Sequence, residues 1–213
     1  MTPRVIDRYV AMGDSFTAGV GNETGPIWTD LVAARLREIN PGLRFNNIAV
    51  CGATSADVAR QTDIALGIEP DLVTVVCGMN DVLKSVRLDP EGFAASLAAI
   101  FDRLQAELPN AAILTATAPG NLTFPKPMRP LTQAHIVNGL RTLNRTIMMQ
   151  AGERGIPALR GSEHPGLRDS GNFAEDGLHP SARGHALMAD EVSRALHGRF
   201  GIEIAARGSV SLR

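Results

Sequence analysis

Arg8-Tyr9-Val10-Ala11-Met12-Gly13-Asp14-Ser15-Phe16-Thr17-Ala18-Gly19 runs a short apolar segment straight into a turn of glycines and helix-capping residues. Residues 8–12 have the length of a strand and little polar alternation, as expected where a sheet is covered on both faces. Four further runs, at 45–50, 72–77, 111–116 and 156–159, have the same character. Between and after them lie amphipathic stretches near 28–39, 55–66, 93–108, 134–151 and 182–196. In the fourth of these, Ile136, Leu140, Leu143 and Ile147 recur at steps of three and four, a helical stripe. Five such units predict an α/β fold with a parallel sheet and right-handed crossovers.

The 213 residues suit one domain, 1–213, with its core at about 8–197 and residues 198–213 as either a late strand or a C-terminal tail. Twenty-one basic against 22 acidic side chains leave a net charge of -1, so no nucleic-acid partner is expected. No apolar run approaches the ~20 residues of a membrane span, and no integral membrane association is expected. Charges occupy the N-terminal segment where a signal peptide has its apolar stretch, which predicts a cytoplasmic protein. Cys51 and Cys77 have neither CxxC spacing nor a neighbouring His, so the expectation is two buried, free thiols and no metal.

Open α/β sheets bind ligands outside the carboxyl ends of their strands, so chemistry is sought just after each apolar run. After the first, Ser15 sits in Gly13-Asp14-Ser15, where a nucleophile would be exposed with its backbone N–H turned into the crevice. A helix cap and a glycine turn account for the same residues. After the second comes Cys51-Gly52-Ala53-Thr54, where Gly52 lets a backbone N–H approach a ligand, or merely makes a turn before a Thr54 cap. After the third, Gly78-Met79-Asn80-Asp81 offers the Asn80 amide to a developing oxyanion, or again a turn. Before the last helix, Asp176-Gly177-Leu178-His179 spaces a carboxylate and an imidazole three apart, so that one ring nitrogen can meet Asp176 and the other a nucleophile. His135 and His164 are read as loop residues without an acidic partner at such spacing. His185 and His197 are read as packing or surface residues of the last helix.

All four motifs fall at strand ends of one sheet edge in one chain order. There the sequence resembles the SGNH or GDSL hydrolases, whose blocks look like GDSFTAG, the 47–54 stretch, GMND and DGLHP in this chain. The resemblance runs from about Tyr9 to the last helix. It implies a flavodoxin-like three-layer α/β/α sandwich with a five-stranded parallel sheet of order 2-1-3-4-5. It also implies a serine esterase that cleaves a carboxylic ester or thioester through an acyl-enzyme, without cofactor or metal. Ser15 would be the nucleophile, His179 the general base and Asp176 its orienting carboxylate. Ser15 and Gly52 N–H groups and the Asn80 amide would form the oxyanion hole. The chain has no GxSxG elbow, so the larger α/β-hydrolase fold fits poorly.

Two rivals stand beside this reading: an acyltransferase using the same serine, and a flavodoxin-like binding module without chemistry. For the small-molecule ester itself, the segment 119–132 follows the fourth strand and holds Leu122 and Phe124 as candidate acyl contacts, with Lys126 and Arg129 and no acidic residue. Lys84 and Arg87 lie after Asp81. These four cations are either ordinary solvated charges or a rim for an anionic leaving portion.

Overall fold

The computed structural model describes residues 3–22, 25–120 and 129–205. Five parallel strands, β1 (Arg8–Gly13), β2 (Arg44–Asn47), β3 (Leu72–Val76), β4 (Ala112–Ala116) and β5 (Ala158–Leu159), lie in the order β2-β1-β3-β4-β5. The helices are α1 (Ser15–Ala18), α2 (Trp28–Ile39), α3 (Ser55–Ile68), α4 (Met79–Leu83), α5 (Pro90–Glu107), α6 (Pro130–Glu153) and α7 (Ala182–Phe200). Three single 3-10 turns join β5 to α7.

Successive strand side chains point to opposite faces, and two cores result. Val10, Met12, Val73, Val75 and Ile113 meet α3, α5 and α6 through Val58, Phe93, Leu97, Leu140 and Leu143. Tyr9, Ala11, Leu72, Ala112 and Leu114 meet α2 and α7 through Trp28, Val32, Leu36, Val192 and Leu196. This is the predicted α/β sandwich with its expected strand order. Its helices start where the sequence supplies caps: Thr54 and Asp57 form a reciprocal capping box on α3, and Asp89 followed by Pro90 opens α5.

Three expectations need correction. The second strand ends at Asn47 rather than Val50, because β2 is an edge strand whose residues are mostly exposed. Val50 and Cys51 therefore fall in the turn beyond it, Val50 is 57% exposed, and Cys51 is an exposed free thiol while Cys77 is buried. Residues after 197 supply neither a sheet strand nor a simple tail over the described range. Instead α7 continues to Phe200, Gly201 takes a left-handed cap at φ 64°, and buried Ile202 makes one parallel bridge to Arg4.

Candidate active site

Gly13↔Val76 pairing ends β1 and β3 at the same level. A Cβ on Gly13, whose φ is 153°, would lie 2.4 Å from Val76 O, so only glycine allows this close finish. Asp14 then caps α1 by accepting the Phe16 N–H at 3.1 Å, and the chain turns at once to place Ser15 in the first helical position. Three side chains from other elements hold this turn. Gln61 accepts from Gly13 N–H at 2.8 Å and donates to Gly13 O at 2.9 Å. Trp28 Nε1 donates to Phe16 O at 2.9 Å, and Asn47 Nδ2 donates to Thr17 O at 2.7 Å. The serine is thus fixed through its backbone neighbours, leaving its hydroxyl to other partners.

That partner is His179, whose Nε2 lies 2.8 Å from Ser15 Oγ. His179 Nδ1 lies 2.5 Å from Asp176 Oδ2. Asp176 Oδ1 accepts the N–H groups of Leu178 and His179, both at 2.9 Å, so the carboxylate also closes the turn that carries the histidine. Burial pushes the Asp176 carboxyl up, but the His179 ring and these two N–H donors outweigh it and hold the group below the ordinary carboxylate range. The Phe16 ring packs at 5.5 Å from the His179 ring, restricting its swing.

The residues expected as anion donors sit in the turns and the short helix that follow β1, β2 and β3. Among the described residues, the N–H groups of Ser15 and Gly52 donate no hydrogen bond. Gly52 has φ 77°, and a Cβ there would stand 3.0 Å from Lys84 Nζ. Asn80 is buried in α4, its amide donating to Ala53 O at 3.1 Å. Asp81, next to it, accepts from Ser55 N–H at 2.9 Å and Ser55 Oγ at 2.6 Å. Asp81 therefore ties the helix bearing Asn80 to the turn bearing Gly52, a role that turn-forming propensity alone does not reveal. Capping propensity likewise reveals only part of the role of Asp14. Its carboxyl is buried, and burial, aided by the nearby Asp81 charge and opposed by the Phe16 N–H and the Asn80 amide, pushes its pKa to about 7.

The remaining expectations divide. Lys84 does not project freely over the crevice: Nζ donates to Gly52 O at 2.5 Å. Arg87 and Arg129 are exposed, whereas Leu122, Phe124 and Lys126 lie outside the described residues. His164 does have an acidic partner, Glu191 at 2.8 Å, brought from α7 across 27 residues where spacing gave no hint. His135 is helical, in α6, with Nε2 at 3.1 Å from Ser85 O. His185 is a fully buried packing residue of α7, as one of its two readings had it. A largely apolar cavity of about 170 Å³ is lined by Asp14, Phe16, Trp28, Met79, Phe173 and Val192, among others. Among the described residues, no group of three His, Cys, Asp or Glu is placed to hold a metal, and no helix is long and apolar enough to cross a membrane.

Comparison with known proteins places this geometry in a family. The model of the GDSL-like lipase/acylhydrolase family matches residues 11–187. A GDSL-like esterase of Mycobacterium tuberculosis is 30% identical over 194 residues, covering 86% of this chain and 60% of the relative, so the chain spans less than two thirds of that protein's length. Esterase TesA of Pseudomonas aeruginosa is 23% identical over 184 residues, covering 86% of this chain and 84% of its own. Among solved structures, a lipase/acylhydrolase from Enterococcus faecalis superposes with a TM-score of 0.73 at 21% identity, over 93% of this chain and 98% of the other. With its GDS turn, its GMND turn and its DGLH segment all inside the matched span, the chain belongs to the GDSL-like lipase/acylhydrolase family.

Proposed function

We propose that the protein is a serine esterase that hydrolyses a carboxylic ester or thioester through an acyl-enzyme. The observation that carries this reading is the continuous chain Ser15 Oγ, His179 Nε2, His179 Nδ1, Asp176 Oδ2, with links of 2.8 and 2.5 Å. Such a line converts a weakly nucleophilic hydroxyl into an attacking group. His179 takes the Ser15 proton as Oγ bonds to the carbonyl carbon, and Asp176 steadies the imidazolium that results. The carbonyl oxygen becomes an oxyanion, for which the N–H groups of Ser15 and Gly52 and the Asn80 amide are the candidate donors.

His179 then returns the proton to the departing alkoxide or thiolate, which leaves as alcohol or thiol. Water, deprotonated by the same imidazole, attacks the acyl-serine, and Ser15 regains its proton as the acid departs. A flavodoxin-like binding module would have no use for this hydrogen-bonded line, which weighs against the non-catalytic rival. The test is hydrolysis of p-nitrophenyl esters of graded chain length by the wild-type protein and Ser15→Ala. The expected result is activity in the former and nearly none in the latter, with a serine-directed fluorophosphonate labelling only the wild type. Full activity in Ser15→Ala overturns the covalent mechanism.

A further inference from the structure

Val86 is 99% exposed and Leu131 is 86% exposed, the two barest large hydrophobic side chains among the described residues. They are 45 positions apart, but the segments that carry them meet. His135, one helical turn after Leu131 on the same side of α6, reaches Ser85 O at 3.1 Å, and Ser85 adjoins Val86. Leu83 and Val137, 37% and 38% exposed, flank the pair on the same two segments.

The two stretches themselves carry only cations, with the acidic Asp81, Asp89 and Glu91 flanking the loop rather than interrupting it. Lys84 and Arg87 lie between Asp81 and Asp89 with no acidic residue among them. Two of the flanking carboxylates are occupied with local donors, Asp81 with Ser55 and Asp89 with the Gly92 N–H. Along α6 no acidic residue occurs before Glu153, while Arg129 precedes the helix and Arg141 and Arg145 lie on it. Leu131, Asn138, Arg145 and Met149 follow at helical steps that keep them in one stripe, and all are exposed.

Scattered exposed aliphatics are ordinary, but bare aliphatic tips on stretches whose own charges are all cationic mark a surface that meets an apolar layer behind anionic headgroups. Protein-docking sites instead favour aromatic anchors in packed pockets, and no aromatic residue lies in 83–88 or 129–149. We propose that the 83–87 loop and the exposed stripe of α6 form a docking surface for an anionic lipid bilayer, with Val86 and Leu131 entering the headgroup layer and Arg87, Arg129 and Arg145 facing lipid phosphates. Lys84, in the same loop, holds Gly52 O, so docking brings the crevice to the lipid boundary. Only this last consequence rests on the esterase reading.

Binding is tested without catalysis, by co-sedimentation with vesicles of phosphatidylglycerol and phosphatidylcholine or of phosphatidylcholine alone. The wild-type protein and Ser15→Ala are both expected to pellet with the anionic vesicles, to be released by high salt, and to stay in solution with the neutral ones. Val86→Asp/Leu131→Asp is expected to partition at least about tenfold more weakly, with its thermal transition and its turnover of soluble p-nitrophenyl acetate unchanged. Val86→Ser, at a position that packs against almost nothing, is expected to weaken binding several-fold and guards against misfolding of the double variant. Wild-type protein that ignores anionic vesicles, including one whose face instead binds an acidic protein, overturns the proposal. So does equal binding of wild type and double variant, or equal binding to neutral vesicles. An esterase that fails these tests loses only the docking surface, and an inactive protein that passes them loses only the proposed activity.

Discussion

Lys84 Nζ donates to Gly52 O at 2.5 Å, linking the loop after α4 to the turn after β2 across 32 residues. Gly52 occupies a left-handed conformation and its N–H is unused, so its orientation depends on what grips the rest of its turn. Lys84 and the Asp81–Ser55 bonds are two such grips. Lys84→Met should therefore lower kcat by roughly three- to tenfold, less than outright loss of an oxyanion donor, with KM little changed. An effect confined to KM on an anionic ester would make Lys84 a substrate contact instead.

Asn80→Ala should lower kcat by roughly 10²–10³, the range seen when one oxyanion donor is removed, and leave KM nearly unchanged. Its amide also serves Ala53 O, so some loss of thermal stability is expected beside the kinetic effect. Steady-state kinetics on a p-nitrophenyl ester, compared with the melting temperature, separate the two.

The thiols should differ sharply in access. Cys51 is exposed in the turn beside Gly52, whereas Cys77 follows directly on β3 and is buried; burial, with the charges of Asp14 and Asp81 adding to it, pushes its pKa well up. Ellman's reagent should titrate about one thiol in the native protein and two after unfolding without reductant. Two native-state thiols, or none after unfolding, would contradict this placement.

The contrast between these cysteines shows where the sequence was legible. Central strands announce themselves because both faces are buried, so Leu72–Val76 and Ala112–Ala116 were found within a residue. β2 is an edge strand of Arg-Phe-Asn-Asn, and its apolar signal belongs partly to the turn that follows, which displaced Val50 and Cys51 from where they lie. Ser15, Asp176 and His179 were legible because each stands in a compact motif at a predicted strand end or helix start. His164–Glu191, Asp81–Ser55 and Gln61–Gly13 were not, since each joins residues far apart in sequence and only the crossovers of the fold bring them together. Asp14 was legible as a cap, but its raised pKa depends on burial by neighbours that its own motif does not contain.

Two buried groups should give stability opposing dependences on pH. Asp14 has its pKa pushed up to about 7, chiefly by burial, against an ordinary value near 4. As pH rises from about 4 to about 7 the unfolded chain releases this proton while the native protein keeps it, so this term stabilises at the acid end and is lost toward neutrality. His185 is buried in α7, where its Nδ1 accepts from Trp28 N–H at 3.3 Å. Burial, with the charge of His179 adding to it, pulls its pKa down to about 4. As pH falls from about 6.5 to about 4 the unfolded chain takes up a proton that native His185 refuses, so this term is lost toward acid. Each acts with a slope of at most about 1.4 kcal/mol per pH unit, and between about pH 4 and 6.5 the two largely cancel. Asp14→Asn keeps a side-chain oxygen to cap α1 and removes the first term, so its urea midpoint should fall as pH is lowered from about 6.5 to 5 more steeply than the wild type's. His185→Gln removes the second, and its midpoint should rise over the same interval. Parallel profiles for the two variants and the wild type would mean that neither group holds its unusual protonation state in the folded protein.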